Sequence, residues 1–206
     1  MFNFSDPTQL LLFIGALLTA ITVHEFSHAL LADRLGDPTP RLQGRLTLNP
    51  LAHLDPLGTL MLLLVHFGWG KPVQFDPFNL KDPRRDAALI SFAGPASNFV
   101  LATFLGIVVR ALPETLFYVL PFIQLNIILG VFNLLPVHPL DGGKVLIGLL
   151  EPQTARVWDR FLQRYGLFIL LFLILPLFGG NSAVALFIVP IINLLLTIIV
   201  PLSSLI

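Results

Sequence analysis

Val23-His24-Glu25-Phe26-Ser27-His28 sets two imidazoles four residues apart, with a carboxylate beside the first, inside an apolar run. On a helix, residues four apart lie about 40° apart around the axis, so His24 and His28 share one face. Two imidazoles so placed can ligate one zinc ion and leave room for a third protein ligand and a water. Glu25 can then take a proton from the metal-bound water, whose pKa zinc lowers to about 7. On a soluble helix this pattern is weak, because chance produces it. Here it follows fourteen largely apolar residues, Leu10 to Val23, and lipid penalises each ionisable group by about 2.5–3.5 kcal/mol on insertion scales. A penalty of that size favours a metal site over surface decoration.

The third ligand must come from His, Asp or Glu, since the chain has no cysteine. Asp141, Glu151, His53, Asp55, His66 and His138 are the candidates. Asp141 has the best case: it adjoins an apolar helix, and the Gly142-Gly143 pair after it lets the backbone approach a neighbour. It can also serve as the N-cap of a short helix over Gly142–Leu150, and the two roles are compatible.

The elements that position these residues belong in a membrane. Of 206 residues, 55% are hydrophobic and only 12% charged, where a soluble domain carries about 25% charged residues; the mean hydropathy is +0.85. The formal net charge is zero and there is no basic block, which gives no reason to expect a nucleic-acid partner. The expected fold is an all-α membrane protein: a polytopic bundle of about five transmembrane helices, a re-entrant segment and a small membrane-associated β-hairpin. One integral-membrane domain covers 1–206, its core over about 8–150 and its C-terminal helices over about 165–203. The spans are expected at about Thr8–Leu35, Ala87–Val109, Leu116–Leu135, Tyr165–Phe178 and Val184–Val200. Met1 to Asp6 lacks the positive region of a signal peptide, so the first span is expected to be retained. Leu57 to Phe67 is too short to cross and is expected to re-enter. The period-two alternation within Arg41–Leu48 predicts a strand, with Lys71–Phe75 as its partner.

With the N-terminus outside, eleven of the twelve Lys and Arg residues fall on the cytoplasmic side and only Arg110 outside, the bias expected of cytoplasmic loops. The C-terminus is then cytoplasmic. His24 lies roughly 25 Å from the outer end of its helix by helical rise, and Asp141 follows a helix that runs inward. Both are expected near the cytoplasmic end of a multi-pass cell-membrane protein.

His24-Glu25-x-x-His28, with Gly94-Pro95-x-x-Asn98 and Asn133-x-x-Pro136-x-x-Pro139-Leu140-Asp141-Gly142, resembles the site-2 protease family of intramembrane zinc metalloproteases, peptidase family M50. The resemblance covers about Leu10 to Leu150 and is to a compact form without PDZ or CBS domains. It implies that His24, His28 and Asp141 bind one zinc ion, that Glu25 activates water, and that Asn133 holds substrate. It implies a zinc endopeptidase of regulated intramembrane proteolysis, cutting single-pass membrane proteins within the bilayer, with the β-hairpin pairing to an unwound substrate strand. His138 stands where an apolar residue or proline is expected.

Other roles compete for some of these residues. Asn98 and Asn133 can simply bond between helices, which is the preferred reading for Asn98. His53 and Asp55 fit a turn with an interfacial histidine, His66 an interfacial anchor, and Arg156, Arg160 and Arg164 a face towards lipid headgroups. A catalytically silent scaffold and a metal or proton transporter are the alternative functions. The intact His24, Glu25, His28 and Asp141 oppose the first, and the clustering of polar groups at one depth opposes the second.

Overall fold

A computed structural model describes residues 5–58, 61, 68, 70–176 and 182–200. Helix α1 spans Pro7–Arg34. Asp6 starts it by accepting from the Thr8 amide at 2.9 Å, and Pro7 sits in the first turn, where its missing N–H leaves no helical bond unmade. Ala16, Ala20, His24, His28 and Ala32 are buried and recur every four residues, so one row of small residues and imidazoles faces the interior. A one-turn helix α2 follows at Thr39–Leu42. Asp82 caps helix α3, Pro83–Ala111, whose buried row includes Ile90, Gly94, Asn98, Ala102 and Gly106. A 3-10 turn at Pro113–Thr115 leads into α4, Leu116–Asn133. Then come α5 at Asp141–Leu149, α6 at Pro152–Ile174 and α7 at Ala183–Ile199.

Helices α1, α3 and α4 pack on one another, α5 lies along α3, and α7 packs against α4 and α3. Small residues on the facing rows permit this close approach. Ala102 and Val109 of α3, Ile123, Ile127 and Val131 of α4, and Val184, Ile188 and Ile192 of α7 form the main apolar core. Leu11, Val100, Phe104 and Phe187 remain exposed, one-sided apolar faces that suit lipid and not water.

Among the described residues, three helical segments are long and apolar enough to cross a membrane: Pro7–Arg34, Pro83–Ala111 and Pro113–Asn133. The chain is thus a multi-pass helical membrane protein, but the expected count of five is not reached on length and composition. The first half of α6 carries Arg156, Asp159, Arg160 and Arg164, so only its second half is apolar. Helix α7 is apolar but has 17 residues. Most of the expected re-entrant stretch, Leu57–Phe67, lies outside the described residues, as does His66.

The expected β-hairpin is not formed: no strand ladder occurs among the described residues, and the only pairing is an isolated antiparallel bridge between Leu54 and Gly70. Pro38 and Pro40 fix φ near the helical value, and the Asp37 carboxylate accepts from the Thr39 amide, so residues 39–42 turn helically. The alternation that suggested a strand faces the other way: Arg45 is buried while Leu42 and Leu48 are exposed. The Arg45 guanidinium donates to the carbonyls of Ala52 and Lys71, so a cation holds these loops together.

Asp37 does the same at the end of α1. It is fully buried and accepts from the Thr39 amide at 3.1 Å, the Thr39 hydroxyl at 2.6 Å, the Asp76 amide at 2.7 Å and Asn79 Nδ2 at 2.8 Å. Burial works against its charge, but these bonds hold the carboxyl below the ordinary carboxylate range. They fix segment 76–79 beside the end of α1.

Candidate active site

One ligand atom each from His24, His28 and Asp141 lies within 4.8 Å of the others. His24 Nε2 is 3.0 Å and His28 Nε2 3.2 Å from Asp141 Oδ2. Helical spacing stacks the two imidazoles, whose centroids are 4.6 Å apart and whose planes are nearly perpendicular. The other ring nitrogens face oxygen acceptors: His24 Nδ1 is 2.6 Å from Asn98 Oδ1, and His28 Nδ1 is 2.6 Å from the Ile90 carbonyl. Each Nδ1 is therefore assigned its proton, which leaves both Nε2 lone pairs pointing at a carboxylate oxygen. Three electron-pair donors converging in a buried place repel one another unless a cation lies between them. Two nitrogens and one oxygen, with a fourth position open to water, are a donor set that zinc accepts.

Two glycines make this convergence possible. A Cβ on Gly94 would stand 2.4 Å from His28 Nε2 and 2.7 Å from His24 Nε2, so any side chain there fills the site. A Cβ on Gly142 would stand 2.3 Å from the carbonyls of Leu134 and Leu135, so glycine lets the start of α5 rest on the end of α4. That contact delivers Asp141. The cap of α5 is Leu140, and Asp141 is the first helical residue, so the capping role considered for it is not realised.

Asn98 does more than the interhelical bonding expected of it. Its Nδ2 donates to the Ala20 carbonyl at 3.0 Å and to Asn126 Oδ1 at 2.7 Å, while Asn126 Nδ2 donates to the Phe122 carbonyl at 2.8 Å. With both amide hydrogens engaged, Asn98 can offer only its oxygen to His24. The chain from Phe122 through Asn126 and Asn98 fixes which nitrogen of His24 faces the site. Asn126 escaped notice in the sequence. The penalty argument used for His24 applies in milder form to a buried amide in an apolar helix, and would have singled it out.

Glu25 Oε2 accepts from the Val73 amide at 2.9 Å, so segment 71–76 runs past the carboxylate. Asn133 lies at the end of α4 with its Nδ2 on the Leu129 carbonyl of its own helix, at 3.0 Å. The other candidate ligands are elsewhere. His53 is buried, with Nε2 2.8 Å from the Thr47 carbonyl. It closes a loop. Asp55 accepts from the Gly58 amide at 2.8 Å. Glu151 precedes α6 and is exposed. His138 Nε2 stands 3.5 Å from Asp159 Oδ1 of α6.

Residues 111–177 match the family model described as Peptidase family M50. The chain is 37% identical over 178 residues to "Putative zinc metalloprotease YwhC" of Bacillus subtilis (strain 168), with 80% of each chain covered. It is 35% identical over 179 residues to "Putative zinc metalloprotease Rip2" of Mycolicibacterium smegmatis, covering 81% of this chain and 68% of that one. Rip2 of Mycobacterium tuberculosis is 34% identical over 180 residues, with the same shares covered. No solved structure matches the chain.

Proposed function

The chain belongs to peptidase family M50 and is a zinc metalloprotease built on membrane-crossing helices, and on that premise we propose that it cleaves peptide bonds within or next to the transmembrane segments of other membrane proteins. The observation that carries this reading is the convergence of Asp141 Oδ2, at the start of α5, on His24 Nε2 and His28 Nε2 of α1, a helix that also carries Glu25 and is apolar enough to span. His24, His28 and Asp141 hold the metal. Zinc, when bound, polarises the scissile carbonyl and acidifies the attacking water.

The chain's own groups do the rest. Glu25 takes the proton from the attacking water and returns it to the leaving amine. Asn98 keeps His24 in the tautomer that presents Nε2. A substrate helix has its carbonyls bonded internally, so it must unwind before water can attack. The run 71–75 passes Glu25 through the Val73 amide and offers backbone for an unwound segment to bond, and Asn133 holds substrate backbone or the developing oxyanion.

In this reading α6 and α7 also cross, giving five passes with the N-terminus outside and the site near the cytoplasmic face. The products are fragments released from single-pass proteins, as in regulated intramembrane proteolysis. The test compares membrane-proteome fragments from cells carrying the parent or Glu25→Gln. Fragments ending near a transmembrane segment should vanish in Glu25→Gln and diminish in Asn133→Ala. Identical fragment sets in parent and Glu25→Gln would refute the reading.

A further inference from the structure

A cavity of about 920 Å³ opens between segment 72–77, the start of α3, α5 and α6, and Val73 in its wall donates its amide to Glu25. Its walls are largely apolar, with Pro72, Val73, Phe75 and Ile147 among them, and its charged lining comprises Arg84, His138, Lys144, Arg156 and Asp159. Arg84, His138 and Asp159 already have partners, and Arg156 is exposed. Arg84 Nη1 donates to the carbonyls of Gly148 and Leu150. Asp159 faces His138 through one oxygen and accepts from Gln163 Nε2 at 2.9 Å through the other.

Lys144 does not. Its ammonium lies 4.6 Å from the centroid of the Phe75 ring, and among the described residues it has no hydrogen bond and no carboxylate within ion-pair distance. Asp141, one turn earlier on α5, is turned to the histidines, and Glu25 is bonded to the Val73 amide. Burial pushes the Lys144 pKa down, and those two carboxylates offset part of that push from a distance. A half-buried ammonium aimed into a cavity at the edge of a catalytic centre calls for an anion that the folded chain does not supply.

Resting on the protease reading above, we propose that Lys144 is a specificity-determining residue that binds a carboxylate of the substrate polypeptide in this cavity. Val73 touches Glu25 and Phe75 carries Lys144, and two residues of chain span at most about 7 Å. The carboxylate therefore belongs within about three residues of the cut. It can come from an acidic side chain of the substrate or from the C-terminus that cleavage creates.

The experiment uses zinc-loaded parent, Lys144→Arg, Lys144→Met and Lys144→Glu in detergent, with a peptide library made from digested bacterial membrane proteins. If an acidic side chain is the ligand, parent and Lys144→Arg cut sites show Asp or Glu enriched roughly tenfold at one position. The enrichment is lost in Lys144→Met and inverts to Lys or Arg in Lys144→Glu, an inversion that a merely structural role would not produce. In a second arm, fluorescent peptides with a free or amidated C-terminus are titrated onto Glu25→Gln with and without Lys144→Met. Tighter binding of the free acid, lost with Lys144→Met, assigns the new C-terminus instead. If cut-site profiles match across the four proteins and amidation changes no affinity, the proposal is overturned. If no peptide is cut by the parent but Lys144-dependent carboxylate binding persists, the protease reading falls and the site stands.

Discussion

His24 has both ring nitrogens committed, Nε2 towards Asp141 and Nδ1 to Asn98, so its usefulness as a ligand depends on an amide in another helix. Replacing Asn98 with Ala removes the acceptor that selects the tautomer and leaves the Asn126 oxygen without its donor. Zinc affinity should fall by about 10–100-fold, the range for lost outer-shell partners, as measured by competition with a chromogenic chelator. An unchanged affinity would show that Asn98 only joins helices. At this scale the two histidines and their spacing were legible in the sequence, because ionisable groups in an apolar run demand an explanation. Asp141 was legible as the best of six candidates. The Asn126 relay and the Val73 amide on Glu25 were not, since each depends on which residues of distant segments come into register. Gly94 was visible as part of the Gly94-Pro95-x-x-Asn98 motif. Its particular role, leaving space for two imidazoles, needed their positions.

The three long apolar helices were readable from hydropathy, although the second begins at Pro83, four residues before the expected Ala87, because Asp82 caps it. The hairpin was misread because period-two alternation does not say which face is inside. Here the buried member is Arg45, held by loop carbonyls. Asp37 is the matching anion, and its charge makes segment 76–79 sensitive to acid. The folded chain resists protonation of Asp37 more than the unfolded chain does. Its contribution is therefore complete above the ordinary aspartate value of about 3.9 and is lost as pH falls through the depressed folded value. In detergent, Tm should fall as pH drops below about 4, and Asp37→Asn should show a shallower fall. Equal slopes in the two proteins would remove Asp37 from this account.

For the whole molecule, composition alone indicated a membrane protein, and the exposed apolar faces of α1, α3 and α7 agree with it. The number of passes was less legible, because α6 joins a charged half to an apolar half in one helix, and a short apolar run does not reveal whether it crosses. The proposed topology places the loop after α1 and the start of α7 on opposite sides of the membrane. The chain has no cysteine, so Gln43→Cys and Ser182→Cys can be labelled singly in intact cells. A membrane-impermeant maleimide should react at residue 182 and not at residue 43. Labelling of both from outside would break the topology and with it the placement of the site near the cytoplasmic face.

In the proposed mechanism His24, His28 and Asp141 hold zinc while Glu25 handles the proton. Zinc content and cleavage of a reconstituted single-pass substrate, measured on the same liposome samples, test it most directly. The parent should hold about one zinc per chain and cleave, Glu25→Gln should hold the same zinc and not cleave, and Asp141→Ala should lose both. Cleavage by Glu25→Gln, or full zinc in Asp141→Ala, would contradict it.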